Sequence, residues 1–209
     1  MPRVKICGIT NLEDARLASD LGADALGFIF YSNSPRNITP EKAGRIVRRL
    51  PPFVTKVGVF VNESPDTIRG IRNDVGLDLI QLHGGETPAY CRDLLVPYLK
   101  VFRVQSDFEL NEMEKYPGVA GFLFDTYRQD AFGGTGETFD WEVARQATRY
   151  GHVILSGGLR ASNVRAAIAS VKPYGVDVAS GVEAEPGKKD PEKLRAFFRS
   201  VNEEMETSS

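Results

Sequence analysis

Short runs of Val, Ile, Leu and Phe recur along this chain, and the segments between them carry apolar residues at helical spacing. The runs fall at Val4–Cys7, Ala25–Phe30, Thr55–Val61, Leu79–Leu82, Leu99–Val104, Gly121–Asp125, His152–Ser156 and Val176–Ala179. Their brevity and β-branched content predict eight strands. The intervening segments mark their helix starts chemically: Thr39-Pro40-Glu41, Ser64-Pro65-Asp66, Thr87-Pro88 and Asp190-Pro191-Glu192 each place a capping oxygen before a proline. Proline suits the first helical position, where its missing N–H costs nothing. Thr10-Asn11-Leu12-Glu13 reads as a capping box, with Ala15, Ala18 and Leu21 continuing the helix.

Alternating strands and helices imply a parallel sheet with right-handed crossovers. Eight such units fit a closed (β/α)8 TIM barrel better than a doubly wound sheet, whose Gly-x-Gly-x-x-Gly fingerprint does not follow the first run. Such barrels usually need about 250 residues. At 209 residues this one should be compact, with a reduced fifth helix between Asp107 and Lys115. Residues 1–209 read as a single barrel domain whose last few residues form a disordered tail.

The last two apolar runs close on glycine turns, Leu155-Ser156-Gly157-Gly158-Leu159 and Val178-Ala179-Ser180-Gly181-Val182. Each reads as a strand-to-helix turn, where glycine lets backbone N–H groups approach an anion and a helix N-terminus adds a favourable dipole. One such turn alone would be an ordinary βα connection. Two in succession point to a phosphorylated ligand. Net charge is −2 with acidic and basic residues interleaved, which suggests neither a nucleic-acid stripe nor a membrane patch. With 42% hydrophobic residues but no apolar stretch of spanning length, and an N-terminus that enters a strand at once, the chain reads as cytoplasmic. Cys7 and Cys91 are expected to be reduced, and no Cys/His spacing suggests a metal.

In such barrels the site lies at the C-terminal strand ends. There the chain offers Cys7, Gln81-Leu82-His83-Gly84, Asp125-Thr126 and Asp177. With Lys5-Ile6-Cys7-Gly8-Ile9-Thr10, Gly27-Phe28, Ser34-Pro35-Arg36, Val57-Gly58-Val59-Phe60-Val61-Asn62, Gly133-Gly134-Thr135-Gly136, Phe139-Asp140-Trp141, Ser156-Gly157-Gly158-Leu159, Asp177-Val178-Ala179-Ser180-Gly181-Val182-Glu183 and Gly187-Lys188-Lys189-Asp190, the order of motifs resembles the phosphoribosylanthranilate isomerases of tryptophan biosynthesis over nearly the whole chain.

The resemblance implies an Amadori rearrangement of a phosphorylated aminosugar, with no cofactor or metal. It makes Cys7 the base and Asp125 the acid. Lys5, on the same strand face, should favour the Cys7 thiolate; burial and a neighbouring thiolate should keep Asp125 protonated. Arg36 is expected to grip the anthranilate carboxylate, and Gln81 and His83 to face the substrate. Asp177 interrupts an apolar strand and should meet solvent or sugar hydroxyls. Gly157, Gly158, Ser180 and Gly181 are assigned to phosphate, with Gly134, Thr135 and Gly136 as a closing flap. Arg103 is a weaker candidate, and the protein is expected to be a monomer or a homodimer.

On residue chemistry alone, Cys7 could be a small buried hydrophobe and Asp125 a turn-tightening carboxylate. Ser156 stands where many relatives have Ala, and Ala179 where Ser often precedes Ser180. A pentose-phosphate epimerase would want several metal-binding His and Asp residues, whereas only His83 and His152 occur; the histidine-pathway sugar isomerase would have Asp at the place of Cys7. A non-catalytic phosphosugar-binding protein would need neither Cys7 nor Asp125.

Overall fold

The structure, a computed structural model, describes residues 1–103, 108–116, 118–125 and 139–202. Eight parallel strands, β1 (Arg3–Cys7), β2 (Ala25–Ile29), β3 (Thr55–Phe60), β4 (Leu79–Leu82), β5 (Tyr98–Arg103), β6 (Gly121–Asp125), β7 (Val153–Ser156) and β8 (Gly175–Val178), close into a barrel in sequence order. Pairing of β8 with β1, with Lys5 opposite Asp177, completes the ring. The helices are α1 (Leu12–Asp20), α2 (Pro40–Val47), α3 (Pro65–Val75), α4 (Pro88–Leu94), α5 (Phe139–Ala147), α6 (Val164–Val171) and α7 (Pro191–Asn202). Among the described residues, the crossover from β5 to β6 carries a 3-10 helix, Leu110–Lys115, in place of the reduced fifth helix expected there.

The proline-marked starts form as their chemistry dictates. Thr39, Ser64 and Thr87 accept from the N–H groups of Lys42, Thr67 and Tyr90, and Asp190 from those of Glu192 and Lys193. The start of α1 differs from the capping-box reading. Asn11 caps it, accepting from Asp14 N at 2.8 Å, because the Thr10 hydroxyl donates instead to the Gly187 carbonyl. The second glycine turn also departs from a simple strand-to-helix connection. After β8 come a 3-10 turn (Ser180–Val182) and a small antiparallel hairpin of β9 (Glu183–Glu185) and β10 (Lys188–Lys189), and only then α7.

Alternation along each strand divides the side chains. Val4, Ile6, Leu26, Phe28, Ile80, Leu82, Val176 and Val178 pack outward against the helices in one core cluster. Under β5 and β6 a smaller cluster of Met113, Phe122, Phe124, Ala147 and Val153 does the same, with Phe102 stacked on Phe122. The opposite parity sends Lys5, Cys7, Gln81, Asp125, Ser156 and Asp177 to the barrel interior.

Candidate active site

Cys7 ends β1, its thiol buried and its backbone in register with Gly27 of β2. Glycine is required there, since a Cβ on residue 27 would lie 2.7 Å from Cys7 Sγ. Two residues earlier, Lys5 Nζ donates to Asp177 Oδ1 at 2.8 Å with both side chains 6% exposed. Ser156 Oγ donates to Asp177 Oδ2 at 3.2 Å. Asp177 therefore does not meet solvent as its sequence context suggested. Barrel closure supplies a buried cation instead, and Ser156, which departs from the usual Ala, adds a hydrogen bond.

This pairing also reverses the expected titration of Cys7. Burial pushes the thiol above its ordinary value and the Asp177 carboxylate adds to the rise, while Lys5 and Lys189 pull only partly the other way. The charge of Lys5 is shared with Asp177, so it cannot serve the thiol alone. Lys5 itself loses to desolvation but gains more from Asp177 and Cys7, which hold it cationic.

Asp125 ends β6, beside Arg103 of β5 and Ser156 of β7 in the register. Going round the barrel, β7 and β8 separate it from Cys7, so acid and base candidates stand on different walls of one mouth. Its neighbour is His83, whose Nε2 lies 3.5 Å from Asp125 Oδ2. Gln81 Nε2 lies 3.2 Å from His83 Nδ1, and the buried Gln81 Oε1 has no hydrogen-bond partner among the described residues. Below them the His83-Gly84 turn is pinned by a buried Glu86, which accepts from Gly84 N, Asn62 N at 2.9 Å and Lys100 Nζ at 2.7 Å. Arg103, the weaker candidate, is exposed on the rim.

Arg36 reaches the mouth from the loop after β2, its Cδ over Gly8, where a Cβ would come within 2.8 Å. Its Nε and Nη2 donate to Glu183, with Nη2 to Oε2 at 2.6 Å. Hydrogen bonding to Glu183 raises the guanidinium further above its already high value. The carboxylate of Glu183 is pushed up by burial but ends lowered, because Arg36 and Lys189 outweigh that cost. Neither Glu183 nor Lys189 was singled out by sequence reasoning. A lysine in a Gly-Lys-Lys-Asp turn reads as solvated, and nothing local marks Lys189 as fully buried.

The two glycine turns meet. Gly157 and Gly158 take φ of 88° and 67°, open to glycine and strained for other residues. Gly181 packs so closely on the Leu159 carbonyl that no Cβ fits between them. Ser180 and Gly158 are exposed at the mouth. Gly134, Thr135 and Gly136 lie outside the described residues. Among those described, no helix is long and apolar enough to cross a membrane.

A closed parallel barrel with its polar interior residues gathered at the C-terminal strand ends defines a (β/α)8-barrel enzyme. The family model described as N-(5'phosphoribosyl)anthranilate (PRA) isomerase matches residues 4–200. The chain is 50% identical to the N-(5'-phosphoribosyl)anthranilate isomerase of Pelobacter propionicus over 209 residues, covering 100% of both chains. Among solved structures it resembles a phosphoribosyl anthranilate isomerase in complex with reduced 1-(o-carboxyphenylamino)-1-deoxyribulose 5-phosphate (TM-score 0.85, 43% identity, 97% of this chain and 100% of that one). It likewise resembles generated monomers of the dimeric enzyme from Thermotoga maritima (TM-score 0.83, 42% identity, 97% and 100% covered). The chain belongs to the N-(5'-phosphoribosyl)anthranilate isomerase family.

Proposed function

We propose that this chain converts N-(5-phosphoribosyl)anthranilate to 1-(2-carboxyphenylamino)-1-deoxyribulose 5-phosphate, with Asp125 as general acid and Cys7 as general base. The observation that carries this reading is the placement of both groups at interior strand ends of the same barrel mouth. Asp125 gives its proton to the furanose ring oxygen. The C1–O bond breaks, and the nitrogen lone pair forms an iminium. Cys7, as thiolate, then takes the proton from sugar carbon 2. The electrons of that C–H bond neutralise the iminium as an enolamine, which tautomerises to the ketone. No electrons leave the substrate, so the rearrangement needs no redox partner.

The raised thiol suits this order of events. A thiol that resists ionisation is a strong base once ionised, and the iminium formed in the first step supplies a cation that favours the thiolate. Arg36 is assigned to the anthranilate carboxylate, and Gly157, Gly158, Ser180 and Gly181 to phosphate. Gln81 and His83 are placed beside the sugar, where the unpartnered Gln81 Oε1 can accept from a hydroxyl. Asp177 is reassigned from direct contact to holding Lys5. A thiol base must stay reduced, which supports a cytoplasmic location.

Of the oligomeric alternatives, a homodimer is favoured. Phe53 is 97% exposed at the N-terminal end of the barrel. It stands on the rim of a cavity of about 330 Å³ walled by Val57, Leu79, Leu99 and Ile154, with Arg3, Lys5 and Asp24 also lining it. An exposed ring beside a cavity whose inner wall is aliphatic is a self-complementary pair of features.

The test follows loss of anthranilate-type fluorescence on N-(5-phosphoribosyl)anthranilate. Cys7→Ala and Asp125→Ala are each expected to lower turnover by at least about 100-fold while leaving the Kd of a reduced product analogue within about threefold. Parallel loss of affinity and turnover would refute the assigned roles.

A further inference from the structure

Lys189 sits in β10, remote in sequence from both Cys7 and Asp125, and its side chain is 0% exposed. All three of its ammonium protons are used: Nζ donates to the Cys7 carbonyl at 2.6 Å, to Glu183 Oε1 at 2.9 Å and to the Ala179 carbonyl at 3.3 Å. Glu183 in turn takes the Nε and Nη2 edge of Arg36 and the Gly187 N–H. No Nη1 hydrogen bond of Arg36 is found among the described residues. This far end of the fork is the edge the proposed carboxylate would take.

Glu183 creates an electrostatic difficulty by itself. A carboxylate that locks Arg36 also cancels its charge, and a neutral pair has little hold on an incoming anion. A second cation on the same carboxylate removes the difficulty.

We propose that Lys189 is the positioning and charge-balancing residue of the ligand-carboxylate site: it offsets Glu183, so that Glu183 can fix Arg36 without cancelling the positive charge that Arg36 presents. Among Arg36, Glu183 and Lys189, whose side chains bond one another directly, one anion between two cations leaves one positive charge, matched to one ligand carboxylate; the nearby buried Asp14 carboxylate is held by the Lys189 backbone N–H rather than by its ammonium. The inference rests on the reading of Arg36 as the carboxylate grip.

The experiment compares two substrates, the ribosylamine phosphates formed from ribose 5-phosphate with anthranilate and with aniline, which differ only in the carboxylate. The readout is the ratio of their kcat/KM values, in which any general effect on the base or the fold divides out. Lys189→Met is expected to lower the ratio about tenfold, the effect of one unit charge acting over roughly 12 Å at an effective dielectric of about 20. Glu183→Gln should raise it. The double variant E183Q/K189M, restored to one positive charge, should return near wild type. A merely structural lysine would leave the double variant no better than K189M. If K189M does not fold, E183Q against E183Q/K189M carries the same comparison.

An unchanged ratio in K189M, where Arg36→Met collapses it, would overturn the role of Lys189 and leave that of Arg36 standing. An unchanged ratio in Arg36→Met would overturn the carboxylate reading itself.

Discussion

Substitution of Gly27 by Ala puts a methyl group where the base must sit. The new Cβ would fall 2.7 Å from Cys7 Sγ, 3.2 Å from its Cα and 3.3 Å from its Cβ. A sulfur and a carbon rest nearly 4 Å apart, so the thiol must move by about 1 Å, and overpacking of this kind costs roughly 1–3 kcal/mol. In a domain of this size that lowers Tm by about 2–12 °C. The catalytic effect should be larger in proportion, because a 1 Å misplacement of a reacting group costs on the order of 100-fold. The assay pairs thermal melting with kcat from the fluorescence decay. Gly70→Ala is the control: a Cβ there meets nothing within 4 Å on α3, so it should stabilise by up to about 1 kcal/mol and leave kcat unchanged. A Gly27→Ala enzyme with kcat within threefold of wild type would refute the claim that this glycine exists to seat the base.

Further outcomes follow from the same interior. Burial raises the Cys7 thiol, so the thiolate absorbance near 240 nm lost in Cys7→Ala should develop only above the ordinary thiol range; a Cys7 titration completed below pH 7 would contradict this direction. Lys5→Met strands a buried Asp177 and should cost about 3–5 kcal/mol in chemical denaturation, whereas K5M/D177L should recover most of the stability but not the activity. Equal stability of the single and double variants would exclude an uncompensated charge as the cause. Phe53→Arg should convert a dimer to monomers by sedimentation without lowering kcat more than about twofold, since the N-terminal barrel end is remote from the mouth. A wild-type protein already monomeric at micromolar concentration would refute the homodimer.

The parts of this molecule that are legible in its sequence are those decided by near neighbours. Proline after Thr39, Ser64 and Thr87 marks helix starts because a cap and its N–H partner lie three residues apart. The strand ends carrying Cys7, His83 and Asp125 follow from strand length and polarity. What escaped depends on partners far along the chain. Thr10 loses its cap role to Gly187, 177 residues away, and Asp177 is claimed by Lys5, 172 residues away. The same holds for Lys189, whose surroundings are assembled from β1, the turn after β8 and Glu183. Local pattern registers a charge as polar, and only closure of the ring reveals which charges it neutralises.

The pairing of Lys5 with Asp177 also sets an order in time. At a synthesis rate of about 5–20 residues per second, the ribosome makes Asp177 roughly 10–30 s after Lys5. Throughout that interval the nascent chain holds a lysine with no anion for it and a first strand with one edge unpaired. The hairpin that carries Lys189 emerges later still. The barrel mouth is therefore among the last features a growing chain can complete, and a chain released before the hairpin would carry Lys5 and Asp177 yet lack Glu183 and Lys189, the charges that hold Arg36.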